Sequence, residues 1–202
     1  MSLDRDLIAA IATPIGIGGI GIIRISGPGT KTLATQIVKR PVIHKTAVFS
    51  QFLDCNDLID EGLALYFRAP NSFTGEDLLE LHGHGGPMVM QSLLDVVCSH
   101  GARIARPGEF SERAFLNGKI DLAQAEGIAD LIVSGSKKAA SAAANTVAGS
   151  YSKEVKTITK KLEKLRMLVE AHLDFPDEEI DTLDNKTLKE SLGNILETLN
   201  NF

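Results

Sequence analysis

The sequence predicts an α+β domain with a mixed sheet and helices, followed by an all-α helical-bundle segment. Two observations divide it this way. Residues 1 to about 118 hold most of the glycine and proline, with short apolar runs between turn residues. From about residue 120 the apolar residues recur at helical spacing, and no proline appears until Pro176. The expected domains are therefore 1–118 and 119–202.

In the first part, "LIAAIA" (7–12) and "IGIIRIS" (20–26) read as strands, the second rich in β-branched Ile. "GTKTLATQIVKR" (29–40) reads as a short helix with Leu33, Ile37 and Val38 on one face. "TAVFSQFL" (46–53), "GLALYFRAP" (62–70) and "DLLELHG" (77–83) read as strands. "GPMVMQSLLDVVCSHG" (86–101) reads as a helix, with Pro87 in its first turn and Gly101 at its end. "ARIARP" (102–107) is a last short strand, and "GEFSERAFLNGK" (108–119) a helix of one to three turns. Strands mixed with helices give the α+β or α/β class.

The second part begins with a helix at "DLAQAEGIADLIVS" (121–134). Residues 136–175 read as one long helix, in which Val155, Ile158, Leu162, Leu165 and Val169 form a continuous apolar stripe. Such a stripe packs against other helices as a bundle seam. Pro176 should end that helix at about Phe175. A last amphipathic helix, roughly 185–201, carries Leu188, Leu192, Ile195 and Leu199. The ending at "NNF" suggests a cut in a longer protein.

Composition narrows the function. The 202 residues are 44% hydrophobic and 23% charged, ordinary for a soluble globular protein. A net charge of −5 argues against a chain whose main task is to grip a phosphate backbone, while leaving local basic patches open. Cys55 and Cys98 lie in different segments without a C-x-x-C, so two reduced, partly buried thiols are expected. No apolar run approaches the ~20 residues of a membrane span, and with acids where a signal peptide would be positively charged, none is expected. A cytoplasmic location is expected.

Gly16, Gly18 and Gly21 spell G-x-G-x-x-G, the dinucleotide-binding spacing. That reading needs a helix opening inside the motif and an acid about twenty residues later. Here strand-like "IIRIS" follows, and "TQIVKRPVIHK" contains no acid. A tight strand–loop–strand connection, or bare backbone open to a flat ligand or another subunit, fits better. No G-x-x-x-x-G-K-[ST] occurs, so this chain should not hydrolyse nucleotide by itself.

In "LELHGHGGP" (79–87), His82 and His84 share one side of a strand with Glu80. The ligand count falls short of a metal site, and ring hydrogen bonds to local turns are the alternative. Glu80 at a strand end can accept two parallel hydrogen bonds from an N–C–N edge, as guanine and pterin rings present; an ion pair with an arginine is the alternative. Arg106, Arg113 and Lys119 form a positive cluster able to hold a carboxylate or phosphate, or else a solvated helix face. Glu109 suits the N-terminus of its helix. The acids Asp174, Asp177, Glu178, Glu179 and Asp181 lack EF-hand order. No metal site and no catalytic residue is assigned, and G-x-S-x-G is absent.

Four longer stretches carry a family resemblance: "IATPIGIGGIGIIRISGP", "NSFTGEDLLELHGHGGP", "ARPGEFSERAFLNGKIDLAQAEGIADLI" and "AHLDFPDEEID". In this order along nearly the whole chain, they resemble the tRNA-modification GTPase family MnmE, also called TrmE. The resemblance implies an N-terminal domain similar to tetrahydrofolate-binding domains, which pairs into a homodimer and binds 5-formyl-tetrahydrofolate or a related reduced folate. It implies a helical domain interrupted by a G domain that this chain lacks; GTP, Mg²⁺ and K⁺ belong there. With a flavin-dependent partner, MnmG (GidA), such proteins modify the wobble uridine of tRNA. Three positions match the family's folate-binding residues: Arg24 in "GIIRIS", Glu80 in "LLELHG" and Lys119 in "FLNGK". Glu80 would take the pterin's aminopyrimidine edge, and the two cations would take the glutamate tail or the formyl oxygen. One departure is the glycine loop, where Ile15 and Ile17 stand in place of a proline and an arginine. The rival reading is a dimerisation and partner-docking module to which folate is incidental.

Overall fold

A computed structural model describes residues 6–14, 16–174 and 185–200. The chain divides into two compact units, Met1–Ile120 and Asp121–Phe202.

The first unit is built on a six-stranded mixed sheet of order β3-β4-β5-β2-β1-β6. Its strands are β1 (Ile8–Ile11), β2 (Gly18–Ser26), β3 (Ala47–Asp54), β4 (Asp57–Phe67), β5 (Leu78–Gly85) and β6 (Arg103–Ile104). All neighbours are antiparallel except β1 and β6. Three helices accompany them: α1 (Thr30–Ile37), α2 (Pro87–Ser99) and α3 (Glu109–Leu116).

Alternation explains the layering. Ile23 and Ile25 of β2, with Leu79 and Leu81 of β5, are fully buried. They share one core with Leu33 and Ile37 of α1 and with Leu93 and Val97 of α2. Burying side chains of this size stabilises by roughly 1.5–3 kcal/mol each. The intervening residues of β2 and β5, Ile22, Arg24, Glu80 and His82, are left half-buried on the other face. That periodicity gives the sheet a dry side and a side bearing charged residues.

Element ends follow local chemistry. α1 stops at Val38, which turns extended and bridges Phe52, so the helix is shorter than 29–40. β4 begins at Asp57, earlier than expected, because β3 and β4 form a hairpin through Cys55 and Asn56, with Cys55 at φ 53°. Cys55 is consequently exposed, contrary to the expectation of two partly buried thiols. Cys98 is half-buried, and burial, with Asp95 nearby, pushes its thiol pKa up. Both thiols are free. β6 is reduced to two residues, tied to β1 by the Arg103 and Ala105 amides on Leu7 and Ala9 carbonyls; Pro107 has no amide to continue it.

The second unit has α4 (Leu122–Val133), α5 (Lys137–Val147), α6 (Ser150–Asp174) and α7 (Asn185–Asn200). Asp121 caps α4 in a reciprocal box with Gln124. The single helix expected over 136–175 is two helices. Gly149 sits at φ 83° and breaks the ladder, while the Ala148 amide closes α5 on Ala144. Gly127 of α4 lies against the Thr146 side chain, where an added Cβ would come within 2.9 Å. Of the apolar stripe on α6, Ile158 is buried at 6% exposure, but Val155, Leu162 and Val169 remain 37–43% exposed. Pro176 and the acids 177–181 lie outside the described residues. Among the described residues no helix is long and apolar enough to cross a membrane.

Candidate functional site

β2 and β5 run side by side so that Arg24 stands directly opposite Glu80. Arg24 Nε donates to Glu80 Oε1 at 2.9 Å, and Nη2 lies in ion-pair contact with the same oxygen at 2.8 Å. Two residues along β5, His82 Nε2 lies 3.2 Å from Oε2 of the same carboxylate. The Arg24 guanidinium also lies over two rings, 5.7 Å from the centroid of Phe73 and 5.8 Å from that of Phe110. Such stacking favours a cation and restrains the planar guanidinium. The pair is only partly covered, with side-chain exposures of 32% for Arg24 and 15% for Glu80. Further along β2, Ser26 Oγ donates to Glu76 Oε2 and shares a 2.7 Å hydrogen bond with Thr74.

An ionised carboxylate has about four acceptor positions. Arg24 and His82 occupy two of those on Glu80, one on each oxygen, with Arg24 Nη2 crowding Oε1 as well. An N–C–N edge needs two parallel bonds, so it would enter by displacing His82 or by sharing the carboxylate with a rotated Arg24. The ion-pair alternative read from the sequence is therefore what this structure contains.

Lys119 lies in a different arrangement. Its Nζ donates to the Pro70 carbonyl at 2.9 Å, and its methylenes run against Gly75, at φ 78°. A Cβ on Gly75 would sit 3.1 Å from both Asn117 Cβ and Lys119 Cγ. Asn117 Nδ2 donates to the Thr74 carbonyl at 2.7 Å. Lys119 and Asn117 thus hold residues 70–75, the loop that presents Phe73 to Arg24. Arg24 and Glu80 touch each other; Lys119 reaches them through this loop.

The glycine-rich stretch divides into two. Gly21 is packed against Met90 of α2 and Gly85 of β5. A Cβ on Gly85 would meet the Ile20 and Gly18 carbonyls at 2.6 and 2.8 Å. Gly16 and Gly19, by contrast, face open space. Ile17 and Ile20 beside them are 96% and 68% exposed. β1 ends at Ile11, opposite Ile23, so the first residues of β2 have a free edge on that side among the described residues. A hollow of about 510 Å³ lies here, lined by Thr13, Gly18, Ile20, Gly85, Met90 and Gln91 among others. Arg24, Glu80 and Lys119 do not line it.

The positive cluster of Arg106, Arg113 and Lys119 does not exist as a free anion site. Arg113 is buried and bonds Asp6, Glu76 and Glu109; Arg106 pairs with Glu109 and Glu112. Glu109, 1% exposed, also accepts two bonds from Arg103 and one from the Arg106 amide. Arg103 above all holds the Glu109 carboxyl down at about 2, against the pull of burial. Burial works against the Arg113 charge, but Glu76, Glu109 and Asp6 outweigh it and raise its pKa. This lattice fixes α3, and hence Phe110, to the sheet.

His82 and His84 hold different carboxylates. His84 bonds Asp60 through both its ring and its backbone amide, and the Asp60 hydrogen bond raises its pKa. The sequence reading missed Phe73, Phe110 and the Ser26–Thr74–Glu76 group. Only the position of both phenylalanines beside turn residues hinted at them.

The first unit is thus a mixed α+β sheet with one buried face and one face bearing a charged, aromatic-flanked pair, joined in sequence to a helical unit. The sequence profile described as "GTP-binding protein TrmE N-terminus" matches residues 7–119, and "MnmE helical domain" matches 122–202. The chain belongs to the TrmE (MnmE) family. It is 55% identical over 190 residues to a Coxiella burnetii protein named tRNA modification GTPase MnmE, covering 94% of this chain and 42% of that protein. Relatives of the same name from Nitrosococcus oceani and Methylococcus capsulatus are each 51% identical, over 96% and 97% of this chain and 43% and 44% of theirs. The chain thus spans less than half the length of the curated relatives it matches.

Proposed function

We propose that this chain is the reduced-folate-binding and dimerising part of a tRNA-modification GTPase. Its ligand is 5-formyl-tetrahydrofolate or a close relative. The observation that carries the reading is the Arg24–Glu80 pair, partly buried on the sheet and flanked by Phe73 and Phe110. A reduced pterin presents a flat ring for the aromatic side chains and an N–C–N edge for the carboxylate. Arg24, freed from part of its pairing, and Lys119 then meet the carboxylates of the glutamate tail or the formyl oxygen. Residues 1–118 form the folate domain and 119–202 the first part of the helical domain. GTP, Mg²⁺ and K⁺ act in a G domain outside this chain. The whole protein works with a flavin-dependent MnmG-type partner on tRNA in the cytoplasm.

Isothermal titration with 5-formyl-tetrahydrofolate tests the site. Glu80→Ala removes charge-assisted bonds worth about 1.5–3 kcal/mol each, so affinity should fall roughly 10- to 100-fold or more. Equal affinity in the two proteins removes Glu80 from the site.

A second reading, dimerisation and partner docking with folate incidental, draws on the exposed Ile17 and Ile20 beside an open strand edge. It predicts that substitutions there abolish association while leaving folate affinity unchanged.

A further inference from the structure

The chain is acidic as a whole, yet between Ser150 and Arg166 six Lys/Arg stand against two Glu. The helix geometry sorts these charges. Lys153, Lys156, Lys160 and Lys164 step by three and four residues and share one face. All four are exposed. Ile158 and Leu162, on the opposite face, belong to the apolar stripe. At 1.5 Å per residue the row extends about 16 Å.

Beside its first turns lies a groove of about 500 Å³, lined by Lys153, Lys156, Thr157 and Lys160 of α6 and by Asp121 and Gln124 of α4, among others. The groove's one acid is turned to its own helix. Asp121 accepts the Gln124 amide as the α4 cap, at 3.0 Å. The Ser152 hydroxyl first, then that amide, with Lys156 nearby, lower its pKa. Among the described residues no carboxylate lies within ion-pair distance of Lys153, Lys160 or Lys164; on α6 the pair formed is Arg166–Glu170.

We infer that the Lys153–Lys156–Lys160–Lys164 face of α6 is a docking surface for the phosphate backbone of an RNA. A row of cations without an apolar or aromatic anchor suits backbone phosphates, which position a nucleic acid without reading its sequence. A protein partner would need an apolar centre, and Thr157 is all that interrupts the row. A membrane-lying helix would turn its apolar stripe to the lipid, whereas Ile158 of that stripe is buried within the unit. The choice of tRNA as the RNA rests on the proposed function.

The test is fluorescence anisotropy with the full 202-residue chain and a labelled tRNA transcript at 50–200 mM KCl. The wild-type chain should bind with a steep salt dependence. Lys153→Gln/Lys156→Gln/Lys160→Gln should weaken binding at least ten-fold at 50 mM. It should also flatten the slope of log K against log salt by about 2, since each lost phosphate contact removes roughly 0.7–0.9. Glu163→Gln, beside the row, should tighten binding. Unchanged affinity and slope in the triple variant overturn the assignment. So does lysine-dependent binding to phosphatidylserine vesicles without binding to tRNA. Titration of the same proteins with 5-formyl-tetrahydrofolate separates the two proposals. Absence of folate binding in the wild-type chain counts against the folate reading alone, and loss of tRNA binding in the triple variant with folate affinity intact supports the lysine row by itself.

Discussion

Glu109 is the residue on which the first unit's electrostatics turn. It is nearly fully buried and neutralises Arg103 and Arg113 together. Glu109→Gln removes the buried carboxylate that Arg103 and Arg113 share, leaving them the half-exposed Asp6 in common, and breaking a buried pair costs about 3–5 kcal/mol. For a unit of this size that lowers the thermal midpoint by roughly 10 °C, measurable by calorimetry. The pH dependence has a definite sign. The folded pKa of Glu109 is depressed to about 2, from an ordinary value of 4.5. Its contribution is therefore fully present above about pH 4.5 and is lost as pH falls through about 2. Acid unfolding curves of Glu109→Gln should lack that component. A variant as acid-sensitive as the wild type would show that other carboxylates carry it.

Individual residues were legible to different degrees. Arg24 and Glu80 stand out through the family motif, and an arginine is the carboxylate's alternative partner on charge alone. That the arginine would be Arg24 follows from the β2–β5 register, a non-local pairing over 56 residues. Arg113 looks free in sequence because two of its acids, Asp6 and Glu76, come from distant segments, whereas Arg106 is neutralised locally by Glu109 and Glu112.

At the scale of elements, most strands and helices follow from period and turn chemistry, and errors concentrate at their ends. The exception is the break at Gly149. A glycine within a helical pattern costs only about 1 kcal/mol, so the pattern reads through it; the turn is settled by the left-handed conformation at φ 83°. The glycine strand makes the sharper test. Gly85→Ala would drive a Cβ into two backbone carbonyls of β2, so it should destabilise the chain by about 1–3 kcal/mol in urea titration. Gly19→Ala meets nothing and should be neutral within about 0.5 kcal/mol. If Gly19→Ala keeps stability but loses association or folate affinity, the bare backbone there serves a partner or ligand. If both variants are equally destabilised, the glycines serve only the fold.

For the whole molecule, family membership and a layered sheet lead to two linked expectations, association and folate binding. Light scattering of the full chain should give a dimer, and Ile17→Glu/Ile20→Glu should give a monomer of unchanged thermal midpoint, because both side chains are exposed. A wild-type monomer at micromolar concentration would contradict pairing through this edge.

The most direct measurement is a crystal structure of the chain grown with 5-formyl-tetrahydrofolate. The pteridine should lie on the sheet beside Phe73 and Phe110, its N–C–N edge within hydrogen-bond distance of Glu80 and the Arg24–Glu80 pairing altered. A folate seated instead in the hollow between the glycine strand and α2, with that pair intact, would contradict the assignment.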